Sequence, residues 1–227
     1  MISVVCVYWG DKFSVDYVHN LKSMVARNTT ALHEFVCFSD RPIDGVKTRI
    51  LEKGYNGWWN KLQLFNTEHG LRKDVVYFDL DTLITGNIDW LMNYDTMFMG
   101  IEDLGSVNVH QPHLKGRFQS GVMKWNYSFN KHIWEHFKAQ PEVMQQLRGD
   151  GEYLNEMMPS TSRELLQRVF PGKLKSYKYQ VYGNRPSEET SIVCFHGRPS
   201  IIQAMTETVV TPMNTYKPSD WIKEYWG

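Results

Sequence analysis

Apolar and polar positions along the first hundred residues predict strands and helices in alternation. Residues 2–8 form a short apolar run that reads as a first strand. Residues 14–27 follow as a helix, with Val15, Val18, Leu21, Met24 and Val25 at helical spacing. Residues 34–38 read as a second strand, stopped by Ser39-Asp40-Arg41-Pro42, and residues 46–51 as a third. Residues 58–68 read as a helix with Trp58, Leu62 and Phe65 on one face. The run Val75-Val76-Tyr77-Phe78 then reads as a buried strand. This order predicts an α/β fold with a mostly parallel sheet flanked by helices. The second half is less regular. Strands are expected at residues 96–101, 121–125 and 191–195, and helices at 129–139 and 150–158. Residues 103–118 and 170–190 read as loops, where specificity usually resides. With no linker, low-complexity tract or repeat, the expectation is one domain over residues 1–227.

The strand at 75–78 delivers Asp79 and Asp81 at its C-terminal end. Carboxylates in such a place are costly unless they pair with a cation or a metal. In open α/β sheets, ligands also gather at the C-terminal edges of strands. Two carboxylates one residue apart at such an edge form a clamp for a divalent cation. The alternative is a solvated turn in which Asp81 caps the next stretch of chain.

Charge and cysteine content narrow the classes further. Lys and Arg number 25, matched by 25 Asp and Glu, so net charge argues for neither a nucleic-acid nor a membrane-surface protein. The three cysteines, Cys6, Cys37 and Cys194, lie in apolar runs, and an odd number of core thiols suggests a reduced, cytoplasmic protein. The N-terminal strand is too short for a signal or a membrane span, so no transmembrane segment is expected. In the tail, Tyr216, Trp221, Ile222, Tyr225 and Trp226 with Lys217 and Lys223 fit either a peripheral membrane contact or a segment packed back on the domain, the latter preferred. His110-Gln111-Pro112-His113 lacks a partner cluster for a metal and reads as a loop or an acceptor contact.

Four stretches together carry a likeness to a known family. They are Gly57-Trp58-Trp59-Asn60-Lys61-Leu62-Gln63-Leu64-Phe65, Tyr77-Phe78-Asp79-Leu80-Asp81-Thr82, Phe118-Gln119-Ser120-Gly121-Val122-Met123-Lys124-Trp125 and Val193-Cys194-Phe195-His196-Gly197-Arg198-Pro199. In these the chain resembles the GT-A nucleotide-sugar-dependent glycosyltransferases. It is similar above all to compact bacterial and phage relatives of the glycogenin and galactosyltransferase group (family 8-like). The resemblance implies a Rossmann-like sheet with a smaller mixed acceptor-side region. Residues 1–100 would be the nucleotide-binding half, 101–200 the donor-sugar and acceptor half, and 201–227 a C-terminal tail.

The resemblance also implies roles for particular residues. Asp79, Asp81 and His196 would bind Mn²⁺ or Mg²⁺, which holds the diphosphate of the donor, a nucleoside-diphosphate sugar with UDP as the expected nucleotide. Tyr8, Trp9, Asp11 and Asp40 would form the nucleotide pocket. Lys61, Leu80, Gly197 and Arg198 would lie along the phosphates, and Gln119 and Ser120 against the donor sugar. Gly149-Asp150-Gly151-Glu152-Tyr153-Leu154-Asn155 resembles the family's Asp-Gln-Asp-x-Leu-Asn but replaces the glutamine by Gly151 and the second aspartate by Glu152. The family likeness favours retention, whereas an inverting reaction would need Asp150 or Glu152 as base. The acceptor would be a glycan, a lipid-linked sugar or another hydroxyl. A hydroxylated DNA base fits the chemistry, but zero net charge counts against a polyanion.

Two other functions compete. Phe78-Asp79-Leu80-Asp81-Thr82 comes close to the nucleophile motif of haloacid-dehalogenase-type Mg-dependent phosphatases, with Asp79 as nucleophile. That motif normally lies in a first strand, whereas three expected strands precede it here. The second is a sugar-binding protein that kept the fold without catalysis.

Overall fold

The structure, a computed structural model of the chain, describes residues 1–108, 111–127, 131–212 and 214–227. Its centre is a seven-stranded sheet in the order β3-β2-β1-β4-β7-β6-β8. Those strands are β1 (Ile2–Tyr8), β2 (His33–Ser39), β3 (Lys47–Ile50), β4 (Asp74–Phe78), β6 (Phe98–Glu102), β7 (Phe118–Asn126) and β8 (Glu164–Leu165). A three-stranded sheet places β5 (Thr82–Ile84) and β9 (Leu174–Ser176) on either side of β10 (Ile192–Cys194). Strands β3, β2, β1 and β4 run parallel, while β7 is antiparallel to both β4 and β6. The expected α/β class and mostly parallel sheet are therefore present, and the mixed pairings fall in the second half.

Strand periodicity explains how the sheet is covered. Successive side chains point to opposite faces, so Val4, Cys6, Val76 and Phe78 enter one apolar core while Val5, Val75 and Tyr77 enter the other. The first core is covered by helix Asp16–Arg27, through Val18, Leu21, Met24 and Val25, and by helix Ile201–Thr206. The second is covered by the turn Gly57–Phe65 and by helices Lys131–Ala139 and Asp150–Met157. Position 129, the expected start of the helix at Lys131–Ala139, lies outside the described residues.

Two sequence expectations change, and the preferred reading of the tail holds. The helix expected over 58–68 is a 3₁₀ segment at Gly57–Phe65 followed by a short turn at Thr67–His69. Every residue from Trp59 to Phe65 is buried, so this is an internal segment and not a surface helix with one apolar face. Its polar groups are satisfied inside: Gln63 donates to Asn60 Oδ1 at 3.0 Å and to the Glu52 carbonyl at 3.2 Å. Trp58, expected on the apolar face, is 58% exposed, and Trp59 is the core residue. The expected loop at 170–190 contains β9, which pairs in parallel with β10, and a single wide π-helical turn at Tyr177–Val181. Finally, the tail packs back on the domain. Trp221 and Ile222 are buried, Trp226 meets Tyr17 at 4.8 Å, and Arg27 donates to the carbonyls of Tyr225 and Gly227. The apolar side of the tail is thus used internally, which removes the face a membrane contact would need.

The start of β7 is set by close packing. Between Gly100 and Ile101 the register with β7 slips, and Phe118 covers Gly100 so closely that a Cβ there would meet Phe118 Cε2 at 1.9 Å. Gly100→Ala should therefore destabilise the fold by about 2 kcal/mol or more, as overpacking does, measured by urea unfolding. An unchanged midpoint would show that Phe118 moves aside freely.

Candidate active site

A cleft of about 670 Å³ opens across the C-terminal ends of β1 and β4 and the start of β7. That is the range of small-molecule sites. One end is lined by Trp9, Lys12 and Phe13. The floor carries Asp79, Leu80, Asp81 and His196, and the other end Arg117, Gln119, Ser120, Arg148, Asp150 and Glu152.

The floor is organised by Lys61, whose ammonium is buried. It lies 3.1 Å from Asp79 Oδ1, 3.1 Å from Asp150 Oδ2 and 3.1 Å from Ser120 Oγ, and 4.9 Å from the centre of the Tyr77 ring. Ser120 Oγ donates to Asp150 Oδ2 at 2.5 Å, and the Tyr77 hydroxyl donates to Asp79 Oδ1. Burial opposes the charge on Lys61, but Asp150 and Asp79 outweigh it and hold the ammonium above its usual range. Segment 57–65, β4, β7 and helix Asp150–Met157 are thereby tied at one point.

Asp81 has the opposite surroundings. Among the described residues no lysine or arginine pairs with it. Burial first, and then the charge of Asp79, push its carboxyl up to about 7. Around the floor, three carboxylates (Asp79, Asp81, Asp150) thus face one paired ammonium. A deficit of this kind fits a divalent cation. Among the described residues no three His, Cys, Asp or Glu side chains are gathered closely enough to hold a metal, so the expected Asp79, Asp81 and His196 do not stand as one ligand set. The donors present fit an ion held by one or two carboxylates together with substrate phosphates. His196 is neutral near pH 7, because burial, followed by the charge of Lys178, pushes it down to about 4. Its Nε2 meets Ser176 Oγ at 2.9 Å.

The remaining expected residues divide. Gln119 and Ser120 line the cleft, and the Gln119 side-chain oxygen accepts from Leu104 N at 3.4 Å. Gly121 allows the close approach of β7, since a Cβ there would sit 3.4 Å from Asp79 Oδ2. Trp9 lines the cleft, but Tyr8, Asp11 and Asp40 do not: Arg41 binds Asp11 and Asp40, each at 3.0 Å, and stacks 5.3 Å from the Tyr8 ring. Gly197 and Arg198 are exposed outside the lining. Glu152 is held by Arg148, Nη2 to Oε1 at 3.0 Å, and by the Arg148 amide at 2.7 Å, which lowers its carboxyl below the usual range. His110 lies outside the described residues.

Several lining residues carry no assignment from the sequence: Lys12, Phe13, Tyr77, Arg117 and Arg148. Tyr77 does carry a signal, since period two in β4 places it on the side of Asp79. The arginines carry none, because they lie in loops distant in sequence from the aspartates.

No family model matches the chain, and no curated protein matches it. Among solved structures, the fold is similar to that of the galactosyltransferase LgtC in complex with donor and acceptor sugar analogues, at a TM-score of 0.63 and 13% identity over 88% of each chain. It is also similar to the glycosyltransferase GlyE of Streptococcus pneumoniae TIGR4, at 0.62 and 13% identity, covering 88% of this chain and 56% of that one. The bifunctional glycosyltransferase WbbM gives 0.58 and 11% identity, over 88% and 46%. At such identities the likeness concerns the fold: the chain shares the α/β architecture of these glycosyltransferases.

The floor generates two expected outcomes. Lys61→Met should cost about 3 kcal/mol of stability, the low end for a broken buried pair because the Asp79 side chain is 35% exposed; calorimetry showing no loss would contradict the hub. Mn²⁺ affinity should fall about tenfold per pH unit below 7, because Asp81 must lose its proton to bind and His196 stays neutral there. A flat profile in a Mn²⁺ titration from pH 5 to 8 would rule this out.

Proposed function

We propose that this chain is a metal-dependent glycosyltransferase, moving a hexosyl or N-acetylhexosaminyl group from a nucleoside-diphosphate sugar, UDP-linked, to an acceptor hydroxyl. The observation that carries the reading is the floor of the cleft, where Asp79 and Asp81 leave a negative deficit beside the paired Lys61. The shared fold with glycosyltransferases supports it. The phosphatase alternative loses support: its nucleophile would be Asp79, whose Oδ1 is bound by Lys61 and Tyr77.

Each group then has work to do. The Trp9 and Phe13 rings offer faces to a base, and Lys12 brings a positive charge to that end. Asp79 and Asp81 would hold Mn²⁺ or Mg²⁺ together with the donor's phosphates, with His196 in the same cleft lining, and the ion when bound supplies charge neutralisation on the departing diphosphate. Lys61, 3.1 Å from Asp79 Oδ1, fixes that carboxylate in place, so that it needs no reorganisation during the reaction. Gln119, Ser120 and Gly121 leave room for the donor sugar.

The carboxylates also bear on stereochemistry. An inverting reaction needs a free base, and both candidates are engaged, Asp150 by Lys61 and Ser120, Glu152 by Arg148. Retention by attack on the departing face suits this arrangement. The bond from the anomeric carbon to the diphosphate oxygen breaks, the bond to the acceptor oxygen forms, and the acceptor proton passes to the leaving diphosphate.

Among the described residues no helix is long and apolar enough to cross a membrane. The three thiols are free and buried, which suits a reducing compartment, and we place the chain in the cytoplasm. The acceptor is a glycan or another hydroxyl compound.

Slow hydrolysis of donors tests the reading. UDP-sugars with Mn²⁺ should release UDP, while GDP- and dTDP-sugars should not, and EDTA or Asp81→Asn should reduce release at least a hundredfold in a protein with unchanged circular dichroism. Release that persists in EDTA, or turnover of a simple phosphate ester in its place, would overturn it.

A further inference from the structure

The end of the cleft remote from Trp9 has a composition of its own. Trp58 lines it and is 58% exposed. A Cβ at Gly149 would meet Trp58 Nε1 at 2.8 Å, so the glycine lets the start of helix Asp150–Met157 come close to the indole. An indole so exposed in a cleft is a platform for the apolar face of a sugar ring.

Two guanidinium groups lie beside it. Arg148 binds Glu152 Oε1 through Nε at 3.3 Å and Nη2 at 3.0 Å, and Arg117 Nη2 stands 4.0 Å from the same oxygen. Two arginines thus share one carboxylate, so at Glu152 one guanidinium charge is left unmatched. The Arg148 side chain is 73% exposed, so its unshared donors face solvent. Strand order fixes where this lies. Trp9 follows β1, Asp79 and Asp81 follow β4, and Arg117 precedes β7, so the rim lies on the far side of the aspartates from Trp9.

We propose that Trp58, Arg117 and Arg148 form the acceptor subsite, and that it takes a sugar bearing a negatively charged substituent, a carboxylate or a phosphate. This rests on the glycosyltransferase reading above. Trp58 stacks on the acceptor ring, and the arginines bind the anion by charge-assisted hydrogen bonds. Glu152 holds Arg148 in place and competes with the anion for it, so it sets specificity and does not act as a base.

The test is a titration, by ligand-observed NMR, of the protein holding UDP and Mn²⁺ with three probes: methyl β-D-glucuronide, methyl β-D-galactoside 6-phosphate and neutral methyl β-D-galactoside. The charged probes should bind about tenfold more tightly at low salt, with the preference shrinking as salt screens it. A preference for the glucuronide assigns an acidic sugar, and the reverse order a phosphorylated one. Arg148→Gln and Arg117→Gln should each reduce the preference, Glu152→Gln should increase it, and Trp58→Ala should weaken all three probes. Because the variants act in opposite directions, misfolding cannot mimic the pattern. Equal affinity for charged and neutral probes, no binding of any probe, or a preference unmoved by Arg148→Gln, Arg117→Gln and Glu152→Gln would overturn the proposal. The same titration without nucleotide, beside a separate measurement of UDP binding, distinguishes failure of this subsite from failure of the donor reading.

Discussion

The buried ammonium of Lys61 joins groups from four separate parts of the chain, because an amine so enclosed is stable only among acceptors that match its charge. It meets Asp79 at the end of β4, Ser120 in β7 and Asp150 at the start of helix Asp150–Met157, from its own segment Gly57–Phe65. None of these carboxylates would rest easily in the cleft without it, and the ammonium would not rest there without them. Segment 57–65 gives up amphipathic helix geometry to bring Lys61 inward, with Asn60 and Gln63 bonded inside to make that burial tolerable.

What the hub leaves unpaired matters as much as what it pairs. Asp81 stands next to Asp79 with no lysine or arginine paired to it among the described residues, and burial and that neighbour push its carboxyl up to about 7. A site that pairs one carboxylate with a buried ammonium and keeps another near its titration point is prepared for a cation that arrives with its own phosphate ligands. The rigid side of the floor gives orientation, and the uncompensated side gives affinity.

Much of this is legible in the sequence, and the physical reasons divide cleanly. Period-two strands with both faces apolar, such as β1 and β4, are readable because each residue has one dominant environment. Asp79 and Asp81 are readable because an apolar approach makes two acids conspicuous. The segment at 57–65 misleads because its polar residues resemble a surface stripe, whereas Gln63 bonds Asn60, both bond the backbone, and Lys61 bonds Asp79, Ser120 and Asp150 inside. Trp58 and Trp59 exchange roles for the same reason. Asp11 and Asp40 suit a nucleotide pocket by their place after strands, yet Arg41 between them supplies a nearer partner. Arg117 and Arg148 lie in loops without periodicity, so only the folded chain brings them to one glutamate.

The most direct measurement is a crystal structure with UDP and Mn²⁺, with data collected at the manganese edge. The account predicts an anomalous peak bound by Asp79, Asp81 and the diphosphate, with Lys61 still paired to Asp79 and Asp150. A diphosphate seated directly on Lys61, with no anomalous peak beside Asp81, would contradict it.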